Sequence, residues 1–404
     1  MISVEEALDL VVKHKLVFSM EAIPLEAALG RILAEPIYAD RDFPPFDRVC
    51  MDGIAISYDS FEQGCRYFKI ESEGAAGQAQ KTLKDANNCI EVMTGAPRPR
   101  RTDTVIRYED LNRLEDSFQV EVEPQQGENI HVQGRDQKKG SILIEKGQMI
   151  KPIDINVLAT CGKSQVQVFK NPNIAIVASG EELVPIDTKP EPHQIRMSNA
   201  PMIKAHLGLL GLNATIFHVL DSKYSIETEL RQILNDYDVL ILSGGVSAGK
   251  YDLIPQALEE LGLTKVFHKV RQRPGKPFFF GSNDTKRAFA FPGNPVSGLV
   301  CLLKYFVPWY RASLGLKHDS SLRVKLEENT HFKAPLTNFA QATLHQTDDG
   351  QLLARVVRGN GSGDMVSPTQ VDGFIELPYG RDNYLAGEFY DFYPFQNIDI
   401  QSIK

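Results

Sequence analysis

The sequence predicts a multidomain α/β protein. Its centre is a doubly wound, parallel-type α/β domain, accompanied by a β-rich arm domain and a small C-terminal β domain. Three observations carry this expectation. The chain has 404 residues, too many for one ordinary hydrophobic core. From Asn173 onward, short apolar runs alternate with helix-period patterns, which is the mark of strands joined by crossover helices. On either side of that stretch, short apolar runs are separated by glycine and proline turn signals instead, as in small β domains.

Taken in order, Ser3 to His14 reads as a helix, with Ser3 and Glu6 spaced as a capping box. Pro24 to Leu33 has a second, short helical pattern. Pro44-Pro45 and Asp52-Gly53 then break the chain and mark a domain junction. Residues 46–140 form the expected arm, with strands at Ile90–Met93 and Val105–Tyr108 and turns at Gly95, Gly127, Gly134 and Gly140. Residues 141–168 return the chain to an N-terminal linking domain shared with residues 1–45.

The α/β domain is expected over 169–317. Strands are predicted at Ile174–Ala178, Thr215–Val219, Val239–Leu242, Val266–Val270 and Ala288–Phe291. Helices are predicted at Met202–Leu210, where Ser198-Asn199 supplies the cap, around Ile226–Leu234, at Leu253–Leu261 and at Val296–Tyr310. Residues 318–404 return to strands, and Asp349-Gly350 between two apolar runs signals a hairpin.

Asp238 to Asp252, DVLILSGGVSAGKYD, is the pivot of the α/β domain. A buried strand stops at Ser243, and Gly244-Gly245 lets the backbone turn sharply and expose its N–H groups. Ser247 extends this small-residue loop, and a helix follows. Strand, glycine loop and helix N-terminus together suit an anion. Gly244-x-x-x-x-Gly249-Lys250 fits most of a P-loop, but Tyr251 stands where a Ser or Thr hydroxyl must hold magnesium. A plain strand-to-helix turn is the alternative.

Other features at strand ends point to the same crevice. They are Ser179-Gly180-Glu181-Glu182, Asp221, Asp252, Arg273-Pro-Gly-Lys276-Pro277 and Pro292-Gly-Asn-Pro295-Val-Ser297. Glu182, Asp221 and Asp252 are candidates to hold Mg²⁺, which binds through one or two carboxylates plus substrate phosphates; each also suits a helix N-cap. Lys276 closes a basic stretch on a stiff Pro-Gly-Lys-Pro turn, a placement that suits an oxyanion.

Composition excludes several classes. The net charge of −8 argues against a nucleic-acid binder. No apolar run reaches the ~18 residues of a membrane helix, and the N-terminus MISVEEALDL lacks a signal-peptide pattern. Five scattered cysteines suggest a reducing compartment, and a cytoplasmic location is expected. No paired Cys/His spacing suggests zinc.

The motifs PPFDRVCMDG (44–53), VMTGAPRP (92–99), NIHVQGRDQKKG (129–140), IAIVASGEELV (174–184), SNAPMIKAHL (198–207), LSGGVSAGKYD (242–252), RPGKPFFFG (273–281) and FPGNPVSG (291–298) span nearly the whole chain. In this order they resemble the molybdopterin molybdenumtransferase (MoeA) family, which includes the plant Cnx1 and gephyrin E domains. The resemblance implies the molybdopterin-binding fold and the last step of molybdenum cofactor synthesis. In that step adenylylated molybdopterin is bound, molybdate is inserted at the dithiolene, and AMP is released with the help of Mg²⁺. It implies a homodimer with shared active sites, and a molybdopterin adenylyltransferase as a further partner. It implicates Asp52, Thr94, Asp136, Glu182, Asp221 and Asp252 in catalysis, with Asp221 and Asp252 on the metal. Gly244, Gly245, Ser247, Lys276, Pro292, Pro295, Ser297 and Ser362 are implicated in binding pterin and molybdate. A non-catalytic pterin-binding scaffold is the alternative reading.

The chain departs from the family pattern at named positions. Arg48-Val49-Cys50 replaces the usual Asn-Ser-Ala, Lys250 replaces an acid, His131 stands where Arg is usual, and Gln341 where a C-terminal Arg is expected. Arg358 is a candidate to supply the missing charge.

Overall fold

The computed structural model describes residues 1–220, 222–245, 253–316, 321–359, 361 and 363–396. The chain forms two compact units. One holds residues 23–29 and 35–166, the other 1–22, 30–34 and 167–404.

The first unit is built on a six-stranded sheet containing Gly53–Ile56, Tyr67–Gly74, Asn88–Val92 and Thr104–Arg107. Alternation along Gly53–Ile56 sends Ala55 to one core, with Ile90, Val92 and Val105, and Ile54 and Ile56 to another, with Phe61, Phe68 and Phe118. Arg48–Val49 pairs antiparallel with Ile130–His131. The loop after His131 is clamped by backbone bonds from Gly134 N–H to Pro44 O (2.9 Å) and from Asp136 N–H to Phe43 O (2.9 Å).

In the second unit the central sheet contains β1 (Ile174–Ser179), β2 (Ala214–Val219), β3 (Val239–Ser243), β4 (Thr264–His268), β5 (Phe279–Ser282) and β6 (Arg287–Phe291). Their order is β2-β1-β3-β6-β5-β4. The first four neighbours run parallel, whereas β5 and β4 run antiparallel. The sheet is therefore mixed rather than wholly parallel. The reason is local: β5 joins β6 through the tight turn Asn283–Lys286, and a connection that short can only reverse the chain.

Helices cover both faces: α1 (Asn199–Leu209), α2 (Lys223–Asp236), α3 (Leu253–Glu260) and α4 (Pro295–Cys301). The last continues through a π turn, Leu302–Phe306, into α5 (Val307–Ser313). Odd and even strand positions feed separate cores. Ile174, Ile176 and Ala178 pack with Phe289, Phe291, Phe306 and Trp309, while Ala175 and Val177 pack with Leu240, Leu242, Ile226 and Leu258. The N-terminal helix Val4–Lys13 has its capping box, from Glu6 N–H to Ser3 Oγ (3.1 Å) and from Ser3 N–H to Glu6 Oε2 (2.8 Å). It buries Val4, Ala7 and Val11 in the first of these two cores.

The C-terminal strands β7 (Leu322–Leu326), β8 (Thr337–Gln346), β9 (Leu352–Val356), β10 (Gly373–Leu377) and β11 (Phe389–Pro394) close into a barrel. The ring runs β8-β9-β7-β11-β10 and returns to β8. Lys304, from the π turn, donates to Glu376 Oε2 (2.8 Å) and to Tyr393 Oη (2.7 Å) on two barrel strands, and all three residues are buried.

One element differs in kind from its prediction. Pro24–Leu33 is not a helix. Leu25–Ala27 forms a single 3₁₀ turn, and Gly30 (φ 77°) ends the local pattern in the left-handed region. A run that short cannot repay helix nucleation unaided. Ile32 and Ala34 pair instead in extended conformation, Phe169 N–H to Ile32 O and Ala34 N–H to Gln167 O, both at 2.9 Å.

Candidate functional site

A crevice of about 840 Å³ lies where β1, β3 and β6 end. Its walls are the three loops that follow these strands. β1 gives Ser179 and Glu182, β3 gives Ser243, Gly244 and Gly245, and β6 gives Pro292, Gly293, Asn294, Pro295 and Ser297. A fourth wall, Arg273 to Pro277, precedes a strand rather than following one. Because β5 runs antiparallel to β6, its start lies beside the end of β6, with Phe279 opposite Ala290. Reversal of one strand thus delivers Lys276 to the same edge as the parallel strand ends.

The loops are fixed by close backbone approach. Gly244 has φ 104°, and a β-carbon there would fall 2.6 Å from the Ser179 carbonyl oxygen. A β-carbon at Gly293 would meet Gly244 Cα at 3.6 Å, so these two loops touch through backbone alone. Asn199 bridges them, its Nδ2 donating to Ser243 Oγ (2.9 Å) and to Gly293 O (2.7 Å). Its Oδ1 is buried and has no partner among the described residues. Asn294 caps α4 by accepting from Ser297 N–H (3.4 Å).

The Lys276 turn rests on Gln272, which is fully buried. Gln272 Nε2 donates to Gly275 O (3.2 Å), and its Oε1 accepts from Tyr305 Oη. Val270 N–H donates to Lys276 O (2.9 Å) and closes the turn. Gly275 takes φ 90° there, and Lys276 itself is exposed to the crevice. Cations from Lys276, Arg273 and Arg196 line the space, against the carboxylate of Glu182.

Among the described residues, therefore, the crevice gathers Glu182, Gly244, Gly245, Lys276, Pro292, Pro295 and Ser297 from the predicted set. Asp221, Ser247, Asp252 and Ser362 lie outside the described residues. No group of three His, Cys, Asp or Glu side chains comes together as a metal site among the described residues. Described side chains thus offer Mg²⁺ the single carboxylate of Glu182 in this crevice.

Asp52, Thr94 and Asp136 belong to the other unit. Asp52 Oδ1 accepts from Thr94 N–H (2.6 Å) and from Thr94 Oγ1 (2.8 Å). The Thr94 N–H first, and then its hydroxyl, hold the Asp52 carboxyl below the usual range. Asp136 Oδ1 lies 2.8 Å from His131 Nε2, and His131 Nδ1 lies 3.3 Å from Arg48 Nη2.

Gln341 sits on β8, buried, with its Oε1 unpartnered among the described residues. It lines a second cavity of about 530 Å³ together with Arg273, His331 and Arg358. The neutral amide and the exposed Arg358 guanidinium thus border one space. Asn199 and Gln272 were not anticipated as site residues. Asn199 reads locally as part of a helix cap, and nothing around Gln272 in the sequence marks it as the floor of a turn.

Three family models match in order: the MoeA N-terminal region (domain I and II) over residues 2–162, a probable molybdopterin binding domain over 175–312, and the MoeA C-terminal region (domain IV) over 323–395. The chain is 36% identical over 399 residues to a molybdopterin molybdenumtransferase of Synechocystis, covering 97% of this chain and 100% of that one. It is 32% identical over 399 residues to one of Staphylococcus epidermidis, covering 96% and 94%. The crystal structure of a molybdopterin biosynthesis MoeA protein from Pyrococcus horikosii superimposes with a TM-score of 0.84 at 28% identity, covering 98% of this chain and 100% of that one. Full-length similarity to these relatives, together with three adjoining family regions, establishes that this chain belongs to the molybdopterin molybdenumtransferase (MoeA) family.

Proposed function

We propose that this chain, a molybdopterin molybdenumtransferase of molybdenum cofactor biosynthesis, inserts molybdate into adenylylated molybdopterin and releases AMP. The observation that carries the reading is the Lys276 turn. It places an exposed cation beside a glycine-lined backbone in one crevice. Such a pairing suits two anions at once. The Gly244-Gly245 turn admits a phosphate close to the main chain. Lys276 offers a fixed charge to the molybdate oxyanion. Asn199 Oδ1, without a partner among the described residues, adds an acceptor for a polar edge of the pterin. Holding both reactants in one place converts an encounter into a step within a complex. Magnesium, when bound, would offset phosphate charge. Its proposed ligands Asp221 and Asp252 lie outside the described residues.

Asp52, Thr94 and Asp136 enter the reading through a homodimer in which two copies share each site. A molybdopterin adenylyltransferase is the proposed source of the substrate. The test is incubation with adenylylated molybdopterin, Mg²⁺ and molybdate, with AMP measured against time. Molybdate-dependent AMP release is expected, and Lys276→Ala should raise the molybdate concentration needed. No AMP above a protein-free control would refute turnover. Retained pterin binding in that case would favour the non-catalytic scaffold.

A further inference from the structure

Arg48, His131 and Asp136 form one hydrogen-bonded line that can be read in a single direction. Arg48 Nη2 stands 3.3 Å from His131 Nδ1, and His131 Nε2 stands 2.8 Å from Asp136 Oδ1. A guanidinium only donates: it has no acceptor and keeps its proton at any ordinary pH. Nδ1 must therefore accept, which it can do only without a proton. A neutral imidazole with a bare Nδ1 carries its hydrogen on Nε2, the nitrogen that faces the carboxylate. Arg48, which can only donate, and the ionised Asp136 carboxylate, which can only accept, thus require the same tautomer from opposite ends of the ring.

The backbone makes this line durable. Arg48 and His131 are directly opposed in the antiparallel bridge, the arrangement that sets side chains next to each other. The loop carrying Asp136 is held independently of its side chain, by Phe43 O on the Asp136 N–H (2.9 Å) and by Asp47 Oδ1 on the Gln133 N–H (2.8 Å). Arg48 is exposed, so replacing it removes the donor without opening a core.

We propose that Arg48 is a positioning residue: it locks His131 as the Nε2–H tautomer and through it aims the Asp136 carboxylate. This rests on the reading of Asp136 as a site residue. The direct test is two-bond ¹H–¹⁵N correlation of the His131 ring, at pH values where the imidazole is neutral. The wild-type chain should show the Nε2–H form alone. In an Asp136→Asn chain, whose amide can donate or accept and so no longer dictates the proton, the ring should still show the Nε2–H form; adding Arg48→Met should give a mixture with the Nδ1–H form, and adding Arg48→Lys, which keeps donors and has no acceptor, should restore the single form. A wild-type ring in the Nδ1–H form, or an Asp136→Asn spectrum unmoved by adding Arg48→Met, overturns the proposal.

The second arm is turnover. Arg48→Met should lower kcat by roughly tenfold, as expected for one hydrogen bond to a charged group, with KM for molybdate unchanged. In an Asp136→Asn background it should add little further loss, because the two act as one unit. A full additional loss, or unchanged kcat with a shifted tautomer, refutes the positioning role. Failure of the insertase reading itself would look different, since the wild-type chain would release no AMP while the ring spectrum still answered.

Discussion

Replacing Gly275 by alanine tests whether the Lys276 turn is set by crowding beneath it. Gly275 has φ 90°, and a β-carbon there would lie 2.5 Å from Gln272 Nε2 and 3.0 Å from Cys301 Sγ. Normally the tip of a glutamine would move aside. Here it is tied at both ends, Oε1 to Tyr305 Oη and Nε2 to Gly275 O, within a fully buried side chain. The left-handed backbone costs a non-glycine residue about 1–2 kcal/mol. Displacing Gln272 forfeits a buried hydrogen bond worth about 1 kcal/mol. Together these give a loss of roughly 2–3 kcal/mol, or a fall in Tm of roughly 4–5 °C for a unit of this size. Gly262 is the control, because it has φ 88° but nothing within 4 Å of a built β-carbon. Gly262→Ala carries only the conformational part. Differential scanning calorimetry of both variants therefore separates strain from crowding, and molybdate titration of AMP release reads the lysine's displacement. Gly275→Ala should melt below Gly262→Ala and need more molybdate. Equal melting temperatures, with unchanged molybdate dependence, would show that Gln272 does not support the turn.

Two further outcomes are expected. The Asp47 carboxyl is held below the usual range, first by the Gln133 N–H and then by Arg98. A depressed folded value gives stability that is complete above the unfolded carboxylate range and is lost as pH falls through the folded value. The Tm gap between wild type and Asp47→Asn should therefore be widest near neutrality and close in acid; a gap independent of pH would mean that ionisation of Asp47 does not support the fold. For assembly, Asp136→Ala and Asp252→Ala should each be inactive alone. After subunit exchange at equal mixing, about half the dimers are mixed with one intact site of two, so roughly a quarter of wild-type activity should return. Persistent inactivity after proven exchange would place each site within one chain.

Local pattern made much of the fold legible. The strand, glycine turn and helix around Gly244 were readable because their periodicity changes within a few residues. The Asp349-Gly350 hairpin was readable for the same reason, and its strands pair from Gln346 opposite Leu352 onward. Barrel closure was not, because β8 also pairs with β10, and no local signal encodes a return that distant. β5 was hidden inside a run treated as a ligand motif. Asn199 misled in another way: capping rules point its side chain at its own helix, whereas it reaches Ser243, far along the chain. Arg48 and His131 were noted as separate departures from the family pattern. Their pairing follows only from the register of two two-residue strands, too short to recognise in sequence.

The segment before Lys276 belongs to two sheets in succession. Gln272-Arg273 runs parallel to Thr337-Asn338 at the start of β8, and a few residues later the chain enters the central sheet as β5. Lys276 occupies the crossing. The α/β domain is therefore not a separable cassette. A chain ending before residue 321 would keep every strand of the central sheet yet lose the rail that holds one side of the lysine's turn. Modularity visible in family boundaries is thus not modularity of the site. Grafting the central domain elsewhere, or exchanging the barrel between relatives, has to carry the Gln272–Thr337 and Arg273–Asn338 pairings across intact.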